Sequence, residues 1–269
     1  MLVRMAPKYL LVAVVVVCVS AWFQFSPYPL PLKTFNLFQW SFRASRNPVS
    51  FYKLSLQWPR ATCSFPNARC PNPLPSPYNT IFTIHGIWPQ DVNDDEIERY
   101  SLNKNCTHGL IPTPPQNLPN DLGPIYQGLD SLWPDLNNPH NMQANYGFWG
   151  REWSKHGQCS DYPTNPINYF NSALQLRQNL PSPDFGLQSG MRLTVQQVIA
   201  RVNSYVHHTP EIACNRVNNR VQLWEIRLCY NRPPSSQQLI QGNNIRNCPN
   251  PTGKPGSLCS NINTLINVP

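Results

Sequence analysis

Charged side chains are scarce in this 269-residue chain, where Asp, Glu, Lys and Arg together make up only 13% of the residues. The chain also lacks an internal repeat and a long low-complexity tract. These absences exclude a charged disordered protein, and the length allows one large domain or two small ones. Thirty prolines, about twice the usual share, indicate a globular protein that is rich in loops.

Acidic residues are fewer than basic ones, 13 against 21, which gives a formal net charge of +8. Five of the basic residues precede Ser50, in a stretch that contains no Asp or Glu. From Ser50 onward, 16 basic residues stand against 13 acidic ones. The basic balance therefore gives only weak support for an acidic partner such as a nucleic acid.

The first 21 residues have the features of a secretory signal peptide. Arg4 and Lys8 precede an apolar run from Tyr9 to Val19, and small residues follow where a signal peptidase would cut. The alternative is a signal anchor, but the run is short for a membrane span of about 20 residues. We expect a secreted, extracellular protein without stable membrane association. Residues 22–50 show no clear periodic element and are interpreted as a propeptide, an extension or a gene-model error.

No Cys-x-x-Cys pair is present, which argues against a metal site built from thiolates. Cys18 lies in the signal segment, and the other eight cysteines form an even set. Behind a signal peptide, such a set indicates four disulfide bonds formed in an oxidising compartment. We expect no metal and no cofactor. Asn105-Cys106-Thr107 is a glycosylation sequon, whose occupancy is left open because Cys106 is expected in a disulfide.

Strands and helices are interspersed along the chain without regular βαβ spacing, which favours a single α+β domain. The alternation of residues 51–58 predicts a half-buried strand with Tyr52 and Leu54 on its apolar face. Further strands are predicted over residues 81–87 and 221–230, and helices over 122–136 and from a capping box at 194–197 onward.

Acidic residues cluster between Asp91 and Glu98, at the start of a segment that then becomes rich in proline. A calcium-binding loop is one interpretation, but the spacing does not match an EF-hand. A loop with solvated carboxylates is the preferred interpretation.

Two short segments carry the candidate chemistry. Phe82-Thr-Ile-His-Gly-Ile-Trp-Pro89 sets His85 on a predicted strand, and Phe148-Trp-Gly-Arg-Glu-Trp-Ser-Lys-His-Gly-Gln-Cys159 sets His156 on a predicted helix over residues 146–158. At about 100° per residue, one arc of that helix presents the following residues: Phe148, Arg151, Glu152, Lys155 and His156. A solvated face held by i,i+4 pairs fits poorly, because Arg151 and Lys155 repel at that spacing unless an anion lies between them.

These residue types match the needs of RNA cleavage, in which the nucleophile is the 2′-hydroxyl of the substrate. Two histidines can act as base and acid, because their pKa values lie near neutrality. Lys155 and Arg151 can stabilise the charged phosphorane, with Glu152 holding an orientation or a proton. Trp88 and Phe148 suit the stacking of bases in single-stranded RNA.

The two segments resemble the two active-site signatures of the ribonuclease T2 family, which are secreted acid endoribonucleases. Three other blocks resemble that family as well: Phe51-Tyr-Lys-Leu-Ser-Leu-Gln-Trp-Pro59, Ser131-Leu-Trp-Pro134 and Trp224-Glu-Ile-Arg-Leu-Cys229. The resemblance implies one disulfide-bonded catalytic domain over residues 51–269, with a central antiparallel sheet flanked by helices. It also implies metal-independent transesterification that releases 2′,3′-cyclic phosphates.

The resemblance also implies residue roles. His85 would be the general acid and His156 the general base, Glu152 and Lys155 would stabilise the transition state, and Gln57 and Phe148 would contact bases. The implied disulfides are Cys63–Cys70, Cys106–Cys159, Cys214–Cys259 and Cys229–Cys248. One departure concerns Arg151, where many members have a histidine that is thought to bind phosphate. Arginine cannot titrate in the useful range but can grip phosphate, so we expect retained activity with a changed pH profile.

Within the family, the chain most resembles plant S-ribonucleases of gametophytic self-incompatibility. That resemblance implies pollen F-box proteins as partners, recognised through a variable loop over residues 90–118. The alternatives are an S-like ribonuclease for defence or phosphate scavenging and a secreted binding protein that has lost catalysis. We expect a monomer that acts on single-stranded RNA.

Overall fold

A computed structural model describes residues 49–269, and all of these residues fall within one compact unit. The predicted signal peptide and nearly all of the segment 22–50 lie outside the described residues. No helix within residues 49–269 is both long and apolar enough to cross a membrane.

A seven-stranded sheet forms the centre of the described fold. Its strands are β1 (Phe51–Gln57), β2 (Thr83–Gln90), β3 (Arg192–Thr194), β4 (Glu211–Val217), β5 (Arg220–Asn231), β6 (Ile245–Arg246) and β7 (Leu265–Asn267). The order is β2-β1-β5-β7-β3, with β4 and β6 also paired to β5. All pairs are antiparallel except the short contact between β5 and β7. The expected α+β class with a central antiparallel sheet is confirmed.

Helices surround this sheet. The α-helices are α1 (Pro59–Thr62), α2 (Leu118–Asp121), α3 (Tyr126–Leu132), α4 (Met142–Lys155), α5 (Pro166–Gln178) and α6 (Val195–Val206). Short 3₁₀ helices span Lys104–Thr107, Pro115–Asn117, Gly123–Ile125, Gly157–Cys159 and Gly242–Asn244. The capping box at the start of α6 is confirmed, with the Thr194 side chain accepting from the Gln197 backbone N–H. The single helix predicted over 122–136 is instead a 3₁₀ turn followed by α3, which ends before Trp133 and Pro134.

Strand β1 is buried on both faces, so the prediction of a half-buried strand is wrong. The face that was predicted to be exposed is covered by a disulfide bond and by ion pairs with distant residues, which the alternation of residue types does not indicate. Phe51 packs against the Cys229–Cys248 disulfide. Lys53 is covered because it forms ion pairs with carboxylates from other segments.

Helix α4 begins earlier and ends earlier than predicted. Asn141 caps its start by accepting a hydrogen bond from the Ala144 N–H at 2.9 Å. The helix ends at Lys155, and His156 has non-helical backbone angles of φ −123° and ψ −44°. Trp149 and Trp153 anchor the inner side of α4, where both contact Phe170 of α5.

The four disulfide bonds of the structure join the pairs that the family resemblance implied: Cys63–Cys70, Cys106–Cys159, Cys214–Cys259 and Cys229–Cys248. Cys106–Cys159 links the segment after β2 to the residues that follow α4. This disulfide therefore joins the end of the second signature segment to the loop that follows the first.

The acidic cluster after β2 departs from the predicted solvated loop at one position. Asp94 is buried and lies 2.6 Å from the Lys53 ammonium, and it accepts a hydrogen bond from Asn250 at 2.6 Å. Asp95 and Glu96 are exposed, as a solvated loop requires. Asp94 therefore fastens this loop to β1 and to the C-terminal region.

Candidate active site

His85 lies on β2 at a β-bulge. Gly86 pairs with Ser55 of β1 and Ile84 pairs with Leu56, so His85 is the extra residue between two regular pairs. Such bulges redirect a side chain out of the regular alternation. The ring of His85 reaches across the sheet to β5, where its Nδ1 lies 2.5 Å from Oε1 of Glu225.

Sequence reasoning missed Glu225, which is fully buried. Its second oxygen accepts two hydrogen bonds from Arg227, at 3.0 Å from Nε and 2.7 Å from the terminal nitrogen. Two charged residues at alternate positions of an otherwise apolar strand would place both on one face. That pattern was the available signal, since a buried strand tolerates charges only when they are paired.

Ion pairs continue from Arg227 to the acidic loop. Arg227 donates to Glu211 of β4 at 2.6 Å, and Glu211 lies 2.5 Å from the Lys53 ammonium. Lys53 also pairs with Asp94. A continuous row of alternating charges therefore runs from His85 through β5, β4 and β1 to the loop after β2.

We call this series of ion pairs the charge row: His85, Glu225, Arg227, Glu211, Lys53 and Asp94. It shifts the pKa values of Glu225 and His85. Burial alone would raise the pKa of Glu225, but the positive charges of His85 and Arg227 lower it to about 2. Burial alone would also lower the pKa of His85, yet the carboxylate of Glu225 raises it above its ordinary value. The ionised carboxylate thus favours a protonated imidazole at His85.

His156 has the opposite environment. Its side chain is 1% exposed and stacks on Trp88, with 5.4 Å between ring centroids. Burial lowers its pKa well below the ordinary value, and the positive charges of Lys155 and His85 act in the same direction. Within residues 49–269 neither of its ring nitrogens has a hydrogen-bond partner. This environment favours the neutral form of His156, whose Nε2 lies 4.0 Å from Oε2 of Glu152.

Trp88 holds the two halves of the site together. Its indole contacts the His85 ring edge-on at 5.3 Å and the His156 ring by stacking. Its Nε1 donates to Oε2 of Glu152 at 3.1 Å. Glu152 is 8% exposed, and burial raises its pKa above the ordinary value.

Two glycines leave room for tryptophan side chains near the histidines, Gly86 for Trp88 and Gly157 for Trp153. A Cβ on Gly86 would lie 2.2 Å from Nε1 of Trp88 and 2.4 Å from Oε2 of Glu152. A Cβ on Gly157 would lie 2.0 Å from the Trp153 ring. The glycine that follows each histidine in sequence is thus required by sterics.

The predicted arc on α4 divides into a buried and an exposed part, because the helix ends before His156. Arg151 and Lys155 have side chains that are 69% and 57% exposed. Arg151 lies 4.0 Å from Asp135, and Lys155 lies 3.4 Å from Glu96. The prediction that the polar groups of this arc share one surface is therefore wrong. Glu152 and His156 are buried, whereas Arg151 and Lys155 are exposed.

Of the three predicted base contacts, Trp88 and Gln57 are buried and Phe148 is more accessible. Phe148 is partly buried and lies nearly parallel to His85, with ring centroids 6.3 Å apart. Gln57 is buried, and its amide donates to the Ile84 carbonyl at 3.4 Å while accepting from Thr62 at 3.0 Å.

The sequon residue Asn105 is exposed on a 3₁₀ helix, and its modification stays a prediction. Among the described residues, no group of three or more His, Cys, Asp or Glu could hold a metal ion.

The fold and the site together define a disulfide-bonded α+β protein in which Trp88 contacts two histidines whose pKa values are shifted in opposite directions. Comparison with known proteins identifies its family. Residues 49–248 match the model of the Ribonuclease T2 family, so the chain belongs to that family and is a T2-type endoribonuclease.

Relatives of similar length support the assignment. Ribonuclease S-6 of Nicotiana alata is 28% identical over 233 residues, which cover 83% of this chain and 93% of the relative. Ribonuclease MC1 from bitter gourd seeds has a similar fold, with a TM-score of 0.56, 23% identity and coverage of 74% of this chain and 94% of that one. Ribonuclease NT, solved with 5′-AMP, has a TM-score of 0.57 at 22% identity, covering 82% and 98% of the two chains.

Proposed function

We propose that this enzyme cleaves single-stranded RNA by transesterification, with His85 as the general acid and His156 as the general base. The observation that supports this most strongly is the opposite direction of the two pKa shifts. Environments that separate the pKa values of two neighbouring groups assign one to give a proton and the other to take one.

The proposed step is a transesterification within the RNA chain. His156 takes the proton of the 2′-hydroxyl, and O2′ attacks the adjacent phosphorus. The bond from phosphorus to O5′ breaks, and His85 gives its proton to the departing O5′. The products are a 2′,3′-cyclic phosphate and a free 5′-hydroxyl, and His85 and His156 have exchanged protonation states.

Lys155 and Glu152 are the proposed stabilisers of the phosphorane. Lys155 directly precedes His156, and its side chain is 57% exposed. Its ammonium can therefore stabilise the negative charge that develops on the phosphoryl oxygens. Glu152 is held by Trp88 between the two histidines, where its raised pKa suits sharing a proton with a phosphoryl oxygen. Phe148, Trp88 and Gln57 are the proposed base contacts, and Arg151 is a proposed phosphate contact at the rim.

Glu225 is proposed as a positioning residue that acts through His85. Its bond to Nδ1 fixes the ring and leaves Nε2 to carry the transferable proton. Because Glu225 is fully buried, it cannot contact the substrate and acts only through His85.

We further propose that the protein is secreted and acts as a pistil S-ribonuclease in self-incompatibility, with pollen F-box proteins as partners. Similarity to S-ribonucleases of Nicotiana alata and Pyrus pyrifolia, over 83% and 77% of the chain, supports this role. An S-like ribonuclease is the second candidate, because Ribonuclease MC of Momordica charantia is 39% identical over 127 residues. Expression restricted to the style with strong allelic variation would favour the first, and induction by phosphate starvation the second.

Cleavage of a single-stranded RNA by the full chain tests the chemistry. We expect 2′,3′-cyclic phosphate products, and losses of about 10²- to 10⁴-fold in His85→Ala and in His156→Ala. A wild-type protein without RNA cleavage would refute the mechanism and favour the binding-protein alternative. Retained activity in either alanine variant would refute the role of that histidine.

A further inference from the structure

A second surface feature lies along the exposed side of α4, outside the site of His85 and His156. It is an open groove of about 750 Å³. We name it the α4 groove and define it by six of its lining residues: Arg99, Gln116, Gly147, Gly150, Arg151 and Lys155. It meets the proposed active site at Lys155, which directly precedes His156.

The α4 groove has a positive lining. Arg99, Arg151 and Lys155 all line it, and no Asp or Glu does. Among the described residues Arg99 forms no ion pair, and the partners of the other two cations, Asp135 and Glu96, are not lining residues. The Arg151 and Lys155 side chains are 69% and 57% exposed and lie 4.0 and 3.4 Å from their partners, so these pairs contribute little and leave the groove positive.

Two glycines form part of the groove without a packing reason. Gly147 and Gly150 lie in the interior of α4, where glycine is a poor helix former. A Cβ on either would have no neighbour closer than 3.8 Å, and neither backbone has a positive φ. Their effect is to leave the helix backbone bare, so that a ligand can approach it closely.

We propose that the α4 groove binds backbone phosphates of the RNA substrate beyond the phosphate that is cleaved. This inference rests on the proposed function, since the occupant is the same RNA chain that enters the active site. Three cations in a lining that contains no Asp or Glu match a polyanionic backbone, and the groove continues from a proposed catalytic lysine. A protein partner fits less well, because protein interfaces rely on buried aromatic and aliphatic anchors, whereas Tyr146 is the one aromatic lining residue and no Leu, Ile, Val, Met or Phe lines the groove.

Binding of a 5′-fluorescein-labelled decauridylate, followed by anisotropy, tests the groove separately from catalysis. The full chain carries His156→Ala so that the probe stays intact. Adding Arg99→Gln is expected to weaken binding about two- to fivefold and to reduce the salt slope by about 0.7, the value for one contact to a single strand. Arg220→Gln is the matched control, because it removes an exposed arginine that does not line the groove.

A second pair of variants separates charge from bulk. Gly147→Gln and Gly147→Glu add side chains of the same size where space is open. We expect the glutamate variant to weaken decauridylate binding clearly more than the glutamine variant, because it adds a negative charge to the groove. Equal effects of the two would contradict an electrostatic site.

Cleavage by proteins with an intact His156 completes the test. For Arg99→Gln, the ratio of kcat/KM on decauridylate to that on the dinucleotide UpU should fall relative to wild type. If wild type cleaves RNA but Arg99→Gln changes neither binding nor this ratio, or changes them no more than Arg220→Gln, the groove proposal is wrong and the proposed function stands. If Arg99→Gln weakens binding but wild type cleaves nothing, the groove stands and the proposed function is wrong.

Discussion

Replacement of Glu225 by glutamine tests the charge row at the catalytic end. The amide keeps the shape and an oxygen that can accept from Nδ1 of His85, but it removes the negative charge. The fall in the pKa of Glu225 from its ordinary 4.5 to about 2 is the net result of burial and of its cationic neighbours His85 and Arg227, and it corresponds to about 3 kcal/mol in favour of the ionised carboxylate. In Glu225→Gln the stabilisation of protonated His85 by this charge is lost, while the desolvation of its ring remains.

The pKa of His85 should therefore fall in Glu225→Gln. Above that pKa, each unit of decrease lowers the protonated fraction of the general acid tenfold. We expect kcat/KM at neutral pH to fall about ten- to a hundredfold, with the alkaline limb of the pH profile moved to lower pH. An NMR titration of the histidine rings reports the pKa directly, and cleavage of UpU across pH reports its consequence.

Glu211→Gln provides the matched control. Glu211 is also a buried carboxylate that binds Arg227, but it has no contact with His85. Its loss should destabilise the fold and leave the alkaline limb of the pH profile near its wild-type position. If Glu225→Gln leaves the His85 titration and the pH profile unchanged, the proposed positioning role is refuted.

Three other predictions follow from the same geometry. Gly86→Ala should reduce RNA cleavage strongly, because the new Cβ would displace the Trp88 indole, whereas Gly242→Ala should not, since nothing lies within 4 Å of its Cβ; activity and circular dichroism of both variants check this. Urea unfolding at a series of pH values should show stability present above pH 4.5 and lost as the pH falls towards about 2, by up to about 3 kcal/mol from the depressed pKa of Glu225. Arg151→His should keep activity and add an ionisation near neutral pH to the rate profile, and a wild type that is inactive until Arg151→His restores cleavage would contradict retained activity in the arginine protein.

The residues of the two signature segments could be predicted because the chemistry needs rare side-chain types at fixed spacing. Helical periodicity also indicated α4, but it did not show where the helix stops. His156 leaves the helix at its C-cap, and that single change in backbone angle separates it from Lys155. Local patterns do not fix such ends, since the tertiary contacts of the next residues decide them.

Long-range ion pairs were beyond local patterns for a different reason. Lys53 and Glu211 are 158 residues apart. Alternation places Lys53 on a solvent-facing side, and no strand was predicted around Glu211. The register of β1 and β4 on either side of β5 brings them together and buries them. The contact between Glu225 and His85 was not predicted for the same reason, because it depends on the bulge in β2, which local sequence patterns do not indicate.

The first half of the loop between β2 and α2 is held by two interactions with other parts of the fold. Asp94 binds Lys53 near its start, and the Cys106–Cys159 disulfide closes on the residues just after His156. Substitutions at exposed positions between these two anchors, such as Glu98 or Leu102, would alter the outer surface without moving the catalytic groups. Exposed positions of this segment that contact neither Lys155 nor the α4 groove can therefore vary in sequence while the geometry around His85 and His156 is kept.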